Sequence, residues 1–316
     1  MKKEIGIIGL GKMGGGIVLQ LLEQGWSVHG HKRTKSTARE LIEKGMRFAD
    51  SPAELVVTIS SPRVVWLMVP ARDKTQKGAG NPVDELLFGK EGIANLLVKG
   101  DIIIDGGNSF YKDSIRRSKR LSARGIKFID VGFSGGPHGA RHGGCLMIGG
   151  DEKTFRRLEP LFKALALPGG YQFFKGAGAG HFVKMVHNGI EYGMMQSIGE
   201  GFAILKKSKY KLDLARVADI YSTGSVIESR LTKWLMKALA QHGEDLRDVS
   251  GTVAHTGEGE WTAKAARELK VEAKIIEESF KFRVRSAKKP SYTGKVVSAL
   301  REQFGGHSVT HERKKK

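Results

Sequence analysis

Short apolar runs alternate with longer amphipathic stretches over the first half of the chain. The runs predict buried strands at residues 5–10, 26–29, 64–69, 102–104 and 128–131. Segments with helical periodicity, such as 17–22 and 115–123, separate these strands. This alternation predicts a parallel sheet with helices on both faces, in which ligands bind beyond the carboxyl ends of the strands.

The pattern changes near residue 178. Alternation with period two disappears, and amphipathic helices are predicted at residues 181–207, 215–220, 230–239, 262–269 and 272–280. The glycine-rich stretch 175–180 separates the two patterns. The sequence therefore predicts an α/β Rossmann-like dinucleotide-binding domain at 1–177, an all-α substrate and oligomerisation domain at 178–290, and a C-terminal tail at 291–316.

The first predicted strand runs directly into a GxGxxG motif that precedes a helix. We expect this segment to bind the pyrophosphate of a dinucleotide at the helix N-terminus, because its glycines allow a tight turn and let the backbone come close to the pyrophosphate. The segment consists of Gly9, Leu10, Gly11, Lys12, Met13 and Gly14.

The residues after the second predicted strand indicate which dinucleotide is bound. An NAD-specific site places an Asp or Glu there to bind the ribose 2′-hydroxyl, whereas this chain has His31, Lys32, Arg33 and Thr34. Arg33 can bind a 2′-phosphate through two hydrogen bonds, and Thr34 can donate its hydroxyl. The sequence therefore predicts NADP, with NAD as the alternative.

Polar, glycine-rich turns follow the later strands. Val69 ends one strand, Asn108 lies in the turn Asp-Gly-Gly-Asn-Ser, and Ser134 precedes Gly135 and Gly136. Turns at strand ends bring amides and small polar side chains to the ligand edge of such a sheet. We expect Val69 and Asn108 to contact the cofactor.

One predicted helix carries a polar stripe. Lys184, His187, Asn188, Glu191 and Tyr192 recur at helical spacing on a single face. Most flanking residues are Phe, Val, Ile and Met, whereas a solvated stripe would be flanked by further Lys and Glu. The stripe is therefore predicted to face an enclosed active site.

Charge and cysteine content restrict the class of function. The chain of 316 residues has a formal net charge of +20, which favours anionic partners, but it lacks the aromatic interleaving of single-strand nucleic-acid binders. We expect the anionic partner to be a phosphorylated small molecule, and we expect the protein to bind neither nucleic acid nor a membrane. Cys145 is the only cysteine, so no intramolecular disulfide can form and a cytoplasmic setting is expected. No CxxC or HExxH spacing occurs, and no metal is expected.

Several motifs carry a family resemblance. The strings IDGGNS (104–109), FSGGPHGAR (133–141), GHFVKMVHNGIEYGMMQ (180–196), WTA (261–263) and REQFGGH (301–307) resemble those of 6-phosphogluconate dehydrogenases. The resemblance extends over nearly the whole chain, and the helix string is highly specific.

The resemblance implies a role for each matching residue. The helix lysine and glutamate of the family, its general base and general acid, match Lys184 and Glu191. Positions that bind the substrate carboxylate and hydroxyls match Asn108, Ser134, Gly135, Gly136, His187 and Asn188. Positions that contact the substrate phosphate match Tyr192, Arg283, Arg301 and His307.

The implied reaction is the oxidative decarboxylation of 6-phosphogluconate to ribulose 5-phosphate and CO2 with reduction of NADP, a step of the pentose phosphate pathway. The resemblance implies a metal-independent mechanism and a homo-oligomer, either a dimer or a tetramer. In the longer enzymes the C-terminal tail reaches into the neighbouring subunit's site. Alternatives are another β-hydroxyacid dehydrogenase, of the 3-hydroxyisobutyrate type or acting on an unphosphorylated sugar acid, or a non-catalytic anion- or nucleic-acid-binding protein on a Rossmann scaffold.

Two departures from the family pattern affect these expectations. The chain resembles the short form, which lacks the second helical repeat of the long enzymes. Where the long form has a phosphate-binding lysine before the Trp-Thr pair, this chain has Glu260. A carboxylate beside a phosphate dianion is unfavourable, so either Glu260 points away or the phosphate is held differently.

Overall fold

A computed structural model describes residues 2–71, 81–255 and 257–306. Tertiary contacts divide the chain into two units, Met1–Lys184 and Met185–Lys316. The division falls within one long helix, α8 (Ala179–Lys207). The first turns of α8 therefore belong to the first unit, and the rest of the helix belongs to the second.

The described part of the first unit contains one eight-stranded sheet. Its strands are β1 (Glu4–Ile8), β2 (Ser27–His31), β3 (Arg47–Phe48), β4 (Val64–Leu67), β5 (Ile102–Asp105), β6 (Lys127–Ser134), β7 (Gly144–Gly150) and β8 (Ala166–Lys175). Their order across the sheet is β3-β2-β1-β4-β5-β6-β7-β8. All neighbouring pairs are parallel except β6 and β7. The chain order reverses between β1 and β4, which is where ligands bind in doubly wound sheets.

Helices cover both faces of this sheet. They are α1 (Lys12–Glu23), α2 (Arg39–Glu43), α3 (Pro52–Thr58), α4 (Pro82–Phe88), α5 (Tyr111–Ser122), α6 (Gly136–His142) and α7 (Glu152–Leu165). Successive residues of one strand enter different cores: Ile102 and Ile104 pack on one side, and Ile103 packs on the other. Both faces are thus buried, which explains the continuous apolar runs of the central strands.

The second unit is helical in its described part. After α8 it contains α9 (Leu214–Tyr221), α10 (Arg230–His242), α11 (Glu258–Glu268), α12 (Lys274–Ser286) and α13 (Tyr292–Gly305). Helix α10 begins at a capping box in which the side chains of Ser229 and Thr232 bind each other's backbone N–H groups. Leu235 of α10 and Leu300 of α13 are fully buried in the core of this unit. The predicted α/β Rossmann-like unit followed by an all-α unit is confirmed.

A histidine whose side chain is 5% exposed links α10 to α13. His242 Nδ1 lies 2.8 Å from Asp248 Oδ2, and Nε2 lies 2.7 Å from Glu302 Oε2. Burial alone would lower the pKa of His242, but hydrogen bonds to the two carboxylates raise it above its ordinary value. Because only the imidazolium can donate from both ring nitrogens, these contacts favour the charged form.

Several predicted details of the architecture were wrong. The sheet is not purely parallel, because β7 runs antiparallel to β6. Strands β7 and β8 were not predicted: the apolar run of β7 at residues 145–148 is short and lies between glycines, and β8 contains no buried residue. Residues 292–305 of the predicted tail form α13, because its buried apolar face, including Val296 and Val297, packs in the helical core.

Two features of other protein classes are absent from the part of the chain that the structure describes. Among the described residues, no helix combines the length and apolar character needed to cross a bilayer. The same residues contain no group of three or more His, Cys, Asp or Glu side chains placed to hold a metal ion.

Candidate active site

The predicted cofactor turns lie along one edge of the sheet. Strands β1, β4, β5 and β6 are adjacent and parallel, so their carboxyl ends point the same way. Gly9, Val69 and Asn108 follow the first three of these strands, and Ser134 ends the fourth. The structure therefore brings these four residues to the edge at which such sheets bind ligands.

The glycine motif has the backbone geometry of a dinucleotide cradle. Gly9 has φ +104°, and a Cβ there would lie 2.5 Å from the carbonyl oxygen of Met68. A Cβ at Gly14 would overlap the carbonyl oxygen of Gly9, so this glycine permits close helix–strand packing. Around Gly11 there is open space, and the first turn of α1 carries no acidic residue. The N-terminus of α1 can thus accept an anion.

The segment predicted to select the cofactor is exposed. Arg33 and Thr34 follow β2, and both are exposed. Thr34 precedes a 3₁₀ turn, Lys35–Ala38, and its carbonyl accepts a hydrogen bond of 2.8 Å from Thr37 Oγ1. The segment from His31 to Arg39 contains no Asp or Glu. Its chemistry fits a ribose 2′-phosphate better than a 2′-hydroxyl.

A buried ionic network supports the turn that carries Asn108. Asp105 is fully buried, and its Oδ2 accepts hydrogen bonds from Ser109 Oγ at 2.8 Å and Arg117 Nη1 at 3.0 Å. Arg117 Nε also donates to Asp84 Oδ1 at 2.8 Å. Asn108 itself is exposed at the sheet edge. This network was not predicted from the sequence, although an aspartate at the end of an apolar strand is a signal for one.

A buried aspartate binds the start of α8. Asp130 of β6 accepts a hydrogen bond of 2.6 Å from the Gly178 N–H and one of 2.8 Å from the His181 N–H. Burial raises the pKa of Asp130. The ring of His181 lies 2.7 Å from Ser114 Oγ, which is also buried. These contacts hold the first turn of α8 against the sheet.

Lys184 is placed directly against β6. A Cβ added to Gly132 would overlap the Cβ of Lys184 and would lie 2.8 Å from its Cγ and 3.1 Å from the carbonyl oxygen of Gly180. The absence of a side chain at Gly132 is what lets helix and strand approach this closely. Lys184 is partly buried and lies beside the strand that ends at Ser134.

The other members of the polar stripe follow Lys184 along α8. His187 Nδ1 lies 3.0 Å from Asn188 Oδ1 and 3.8 Å from Glu191 Oε2. These three side chains are partly buried, and Tyr192 is buried. The stripe thus combines a lysine, a histidine and a carboxylate on one face, a set that can accept and donate protons.

The apolar residues around the stripe are only partly buried. Met185 and Met195 are buried, as the sequence predicts. Ile190 is 52% exposed and Met194 is 42% exposed, because they lie on a different side of α8 from the helical core. The prediction of an apolar, buried surround was therefore wrong for these two residues.

The helical unit contains a buried cluster of two arginines and a tyrosine. The guanidinium carbon of Arg283 lies 3.3 Å from the centroid of the Tyr192 ring. Arg301 on α13 is also buried, and the carboxylate of Glu191 acts electrostatically on both arginines. Burial lowers the pKa of Arg283 to about 10 and also lowers that of Arg301. The cluster is suited to bind a phosphate.

A carboxylate that was not predicted from the sequence, Glu258, also belongs to this cluster. Glu258 is 5% exposed, and Tyr192 Oη donates a hydrogen bond of 3.4 Å to its Oε2. Glu260, which replaces the expected lysine, is exposed. Residues two apart on a helix point in nearly opposite directions, so only one of the two carboxylates faces the arginines.

Helix α11 packs closely against α8. Thr262 Oγ1 donates a hydrogen bond of 2.7 Å to the carbonyl oxygen of Met185. A Cβ at Gly189 would lie 2.6 Å from Thr262 Cγ2, and a Cβ at Gly259 would lie 2.6 Å from the Tyr192 ring. Two glycines therefore allow the close packing that brings Glu258 to Tyr192.

Of the two C-terminal residues that were predicted to contact the substrate phosphate, only Arg301 lies among the described residues. Arg301 lies in α13, near Tyr192 and Glu258 of its own chain. His307 lies outside the described residues.

Comparisons with known proteins bear on both units. The NAD-binding domain model of 6-phosphogluconate dehydrogenase matches residues 4–174, and the model of the C-terminal domain of that enzyme matches residues 180–316. The YqeC protein of Bacillus subtilis is 41% identical over 97% of this chain and 99% of its own length.

Two further relatives carry names that describe an activity or a ligand. A Haloferax volcanii protein named NAD(+)-dependent, decarboxylating 6-phosphogluconate dehydrogenase is 37% identical over 98% of this chain and 99% of its own length. A solved structure of Plasmodium falciparum 6-phosphogluconate dehydrogenase, described in complex with NADP+ and with 6-phosphogluconate, aligns with a TM-score of 0.78 and 30% identity. The alignment covers 90% of this chain and 62% of the Plasmodium chain.

Proposed function

Because the chain belongs to the 6-phosphogluconate dehydrogenase family, we propose that it oxidises and decarboxylates 6-phosphogluconate to ribulose 5-phosphate and CO2. The observation that supports this best is that one face of α8 carries Lys184, Glu191 and Tyr192. The guanidinium of Arg283 stacks on the Tyr192 ring. An acid–base pair and a phosphate cluster are both needed for this substrate. A small unphosphorylated hydroxyacid would need only the former.

NADP is the proposed cofactor. The cradle formed by residues 9–14 suits a pyrophosphate, and the Arg33–Thr34 segment suits a 2′-phosphate. The Haloferax relative is named NAD(+)-dependent, so NAD is the alternative. When bound, the nicotinamide ring supplies the acceptor for a hydride from C3 of the sugar acid.

The proposed chemistry uses two residues of α8. Lys184, as the neutral amine, accepts the proton of the 3-hydroxyl while C3 loses its hydride. The resulting 3-keto acid loses its carboxylate as CO2, and the Lys184 ammonium stabilises the negative charge that develops on the enolate oxygen. Glu191 then protonates C1 of the enediol to give ribulose 5-phosphate. Because the ammonium supplies the positive charge, this mechanism needs no metal ion.

The remaining site residues are proposed to position the substrate. The carboxylate and hydroxyls are bound by Asn108, Ser134, Gly135, Gly136, His187 and Asn188. The phosphate is bound by Tyr192, Arg283 and Arg301, with charge-assisted hydrogen bonds from the two guanidinium groups. Assembly into a homo-oligomer is also proposed, and the exposed Ile190 and Met194 of α8 support it.

One assay tests the proposal. The enzyme is given 6-phosphogluconate or gluconate, each with NADP or NAD, and both cofactor reduction and CO2 release are measured. We expect the highest kcat/KM with 6-phosphogluconate and NADP, and one CO2 for each reduced cofactor. Equal kcat/KM for the two sugar acids, or cofactor reduction without CO2, would contradict the proposal.

A further inference from the structure

Glu258 contributes a negative charge to the arginine cluster. It begins α11, is 5% exposed, and accepts a hydrogen bond from Tyr192 Oη. The face of the same Tyr192 ring is covered by the Arg283 guanidinium at 3.3 Å. The electrostatic effect of Glu258 reaches both Arg283 and Arg301, stabilising their charged forms. The carboxylate is therefore part of the cluster and not a neighbour on the surface.

The charges explain why a carboxylate is present there. Two guanidinium groups buried together repel each other, and each is costly to remove from water without a counter-ion. The negative charge of Glu258 compensates part of this cost in the free protein. A bound phosphate would supply the same compensation, and it would place its own negative charge close to Glu258. Burial leaves little solvent to screen that repulsion.

The repulsion depends on the substrate. A sugar acid with a 6-phosphate brings a dianion to the arginines, whereas gluconate brings an uncharged hydroxyl to the same place. We propose that Glu258 is an internal counter-ion of the phosphate subsite and determines how strongly the enzyme prefers phosphorylated over unphosphorylated sugar acids, an inference that rests on the proposed function. Its carboxylate weakens binding of the phosphorylated substrate and leaves gluconate binding nearly unaffected.

The test compares two matched substitutions on α11. Glu258→Gln keeps the shape and an oxygen that can accept from Tyr192, but removes the charge. Glu268→Gln makes the same chemical change at an exposed position of the same helix. KM for 6-phosphogluconate and for gluconate is measured for the wild type and both variants.

We expect Glu258→Gln to lower KM for 6-phosphogluconate by about tenfold or more relative to KM for gluconate, because one short-range repulsion is removed. The Glu268→Gln variant should keep the wild-type ratio. An unchanged ratio in Glu258→Gln, or a selective rise in KM for 6-phosphogluconate, would overturn the inference. Should Glu258→Gln fail to fold, Glu258→Asp withdraws the carboxylate by one methylene and should shift the ratio in the same direction by a smaller factor. An unchanged or opposite shift in Glu258→Asp would overturn the inference equally.

A second measurement reads the phosphate subsite without turnover. Inorganic phosphate should raise the Tm of Glu258→Gln more than that of the wild type, from a lower starting Tm. Equal increases would count against the counter-ion role. If the wild type oxidises neither sugar acid, the proposed function fails, yet this comparison still decides whether Glu258 opposes phosphate binding.

Discussion

Gly132→Ala tests whether close contact between β6 and α8 positions Lys184. The added methyl would overlap Lys184 Cβ and would lie 2.8 Å from its Cγ. Ordinary carbon contacts are about 3.5–4.0 Å, so strand and helix must separate locally by more than about 1 Å. Neither can move easily: Gly132 is paired with Met147 of β7, and Asp130 binds the start of α8.

The expected cost appears in both stability and turnover. Overpacking of this kind lowers the free energy of unfolding by about 1–3 kcal/mol. A displacement of more than about 1 Å at Lys184, the proposed general base, should lower kcat roughly 100-fold or more. Urea unfolding gives the first quantity, and cofactor reduction at saturating 6-phosphogluconate gives the second.

Gly201→Ala is the matched control, because Gly201 lies on the same helix and a Cβ there meets nothing within 4 Å. This variant should be up to about 1 kcal/mol more stable, as expected for Gly to Ala in a helix, with unchanged kcat. Wild-type kcat in folded Gly132→Ala would refute the idea that this contact positions Lys184.

Three further outcomes are expected. Lys184→Met and Glu191→Gln should each lower kcat by about 100-fold or more while cofactor binding, measured by fluorescence titration, is retained; near-normal turnover would exclude the assigned role. Arg33→Ala should weaken NADP binding by about 1.5–3 kcal/mol and leave NAD binding nearly unchanged, whereas equal losses would show that Arg33 does not bind the 2′-phosphate. Since its pKa is raised on folding, His242 should stabilise the protein fully below about pH 6.5, and this contribution should disappear as pH rises through the folded pKa. The free energy of unfolding in urea, measured from below pH 6.5 to above the folded pKa of His242, should depend less on pH in His242→Gln than in the wild type. An identical pH dependence would show that His242 does not make this contribution.

The sequence predicts the parts of the fold that have a local pattern. Strands β4 and β5 are buried on both faces, so they are continuous apolar runs that can be recognised without the structure. Strand β8 contains Pro168 and two glycines and is largely exposed, and only its pairing with β7 identifies it as a strand. Helix α13 was assigned to a tail because its buried face becomes evident only once α10 packs against it.

The same distinction applies to the candidate site. The stripe on α8 was predictable because five positions at helical spacing define a face without any other element. Glu258 was not, because its position beside Tyr192 depends on how α11 packs on α8. Asp130 was missed for a similar reason: the N–H groups that it binds lie 48 and 51 residues further along the chain.

Lys184 and Glu191 lie on one continuous helix, α8, so the helix geometry alone sets the distance and angle between them. Seven residues advance about 10 Å along a helix and complete nearly two turns, so both side chains lie on the same face. One inserted or deleted residue between them would rotate Glu191 by about 100° relative to Lys184. A substitution here changes one side chain, whereas a change in length moves every later residue of the face. The proposed roles of Lys184 and Glu191 are therefore compatible with substitutions elsewhere in this segment but not with a change in its length.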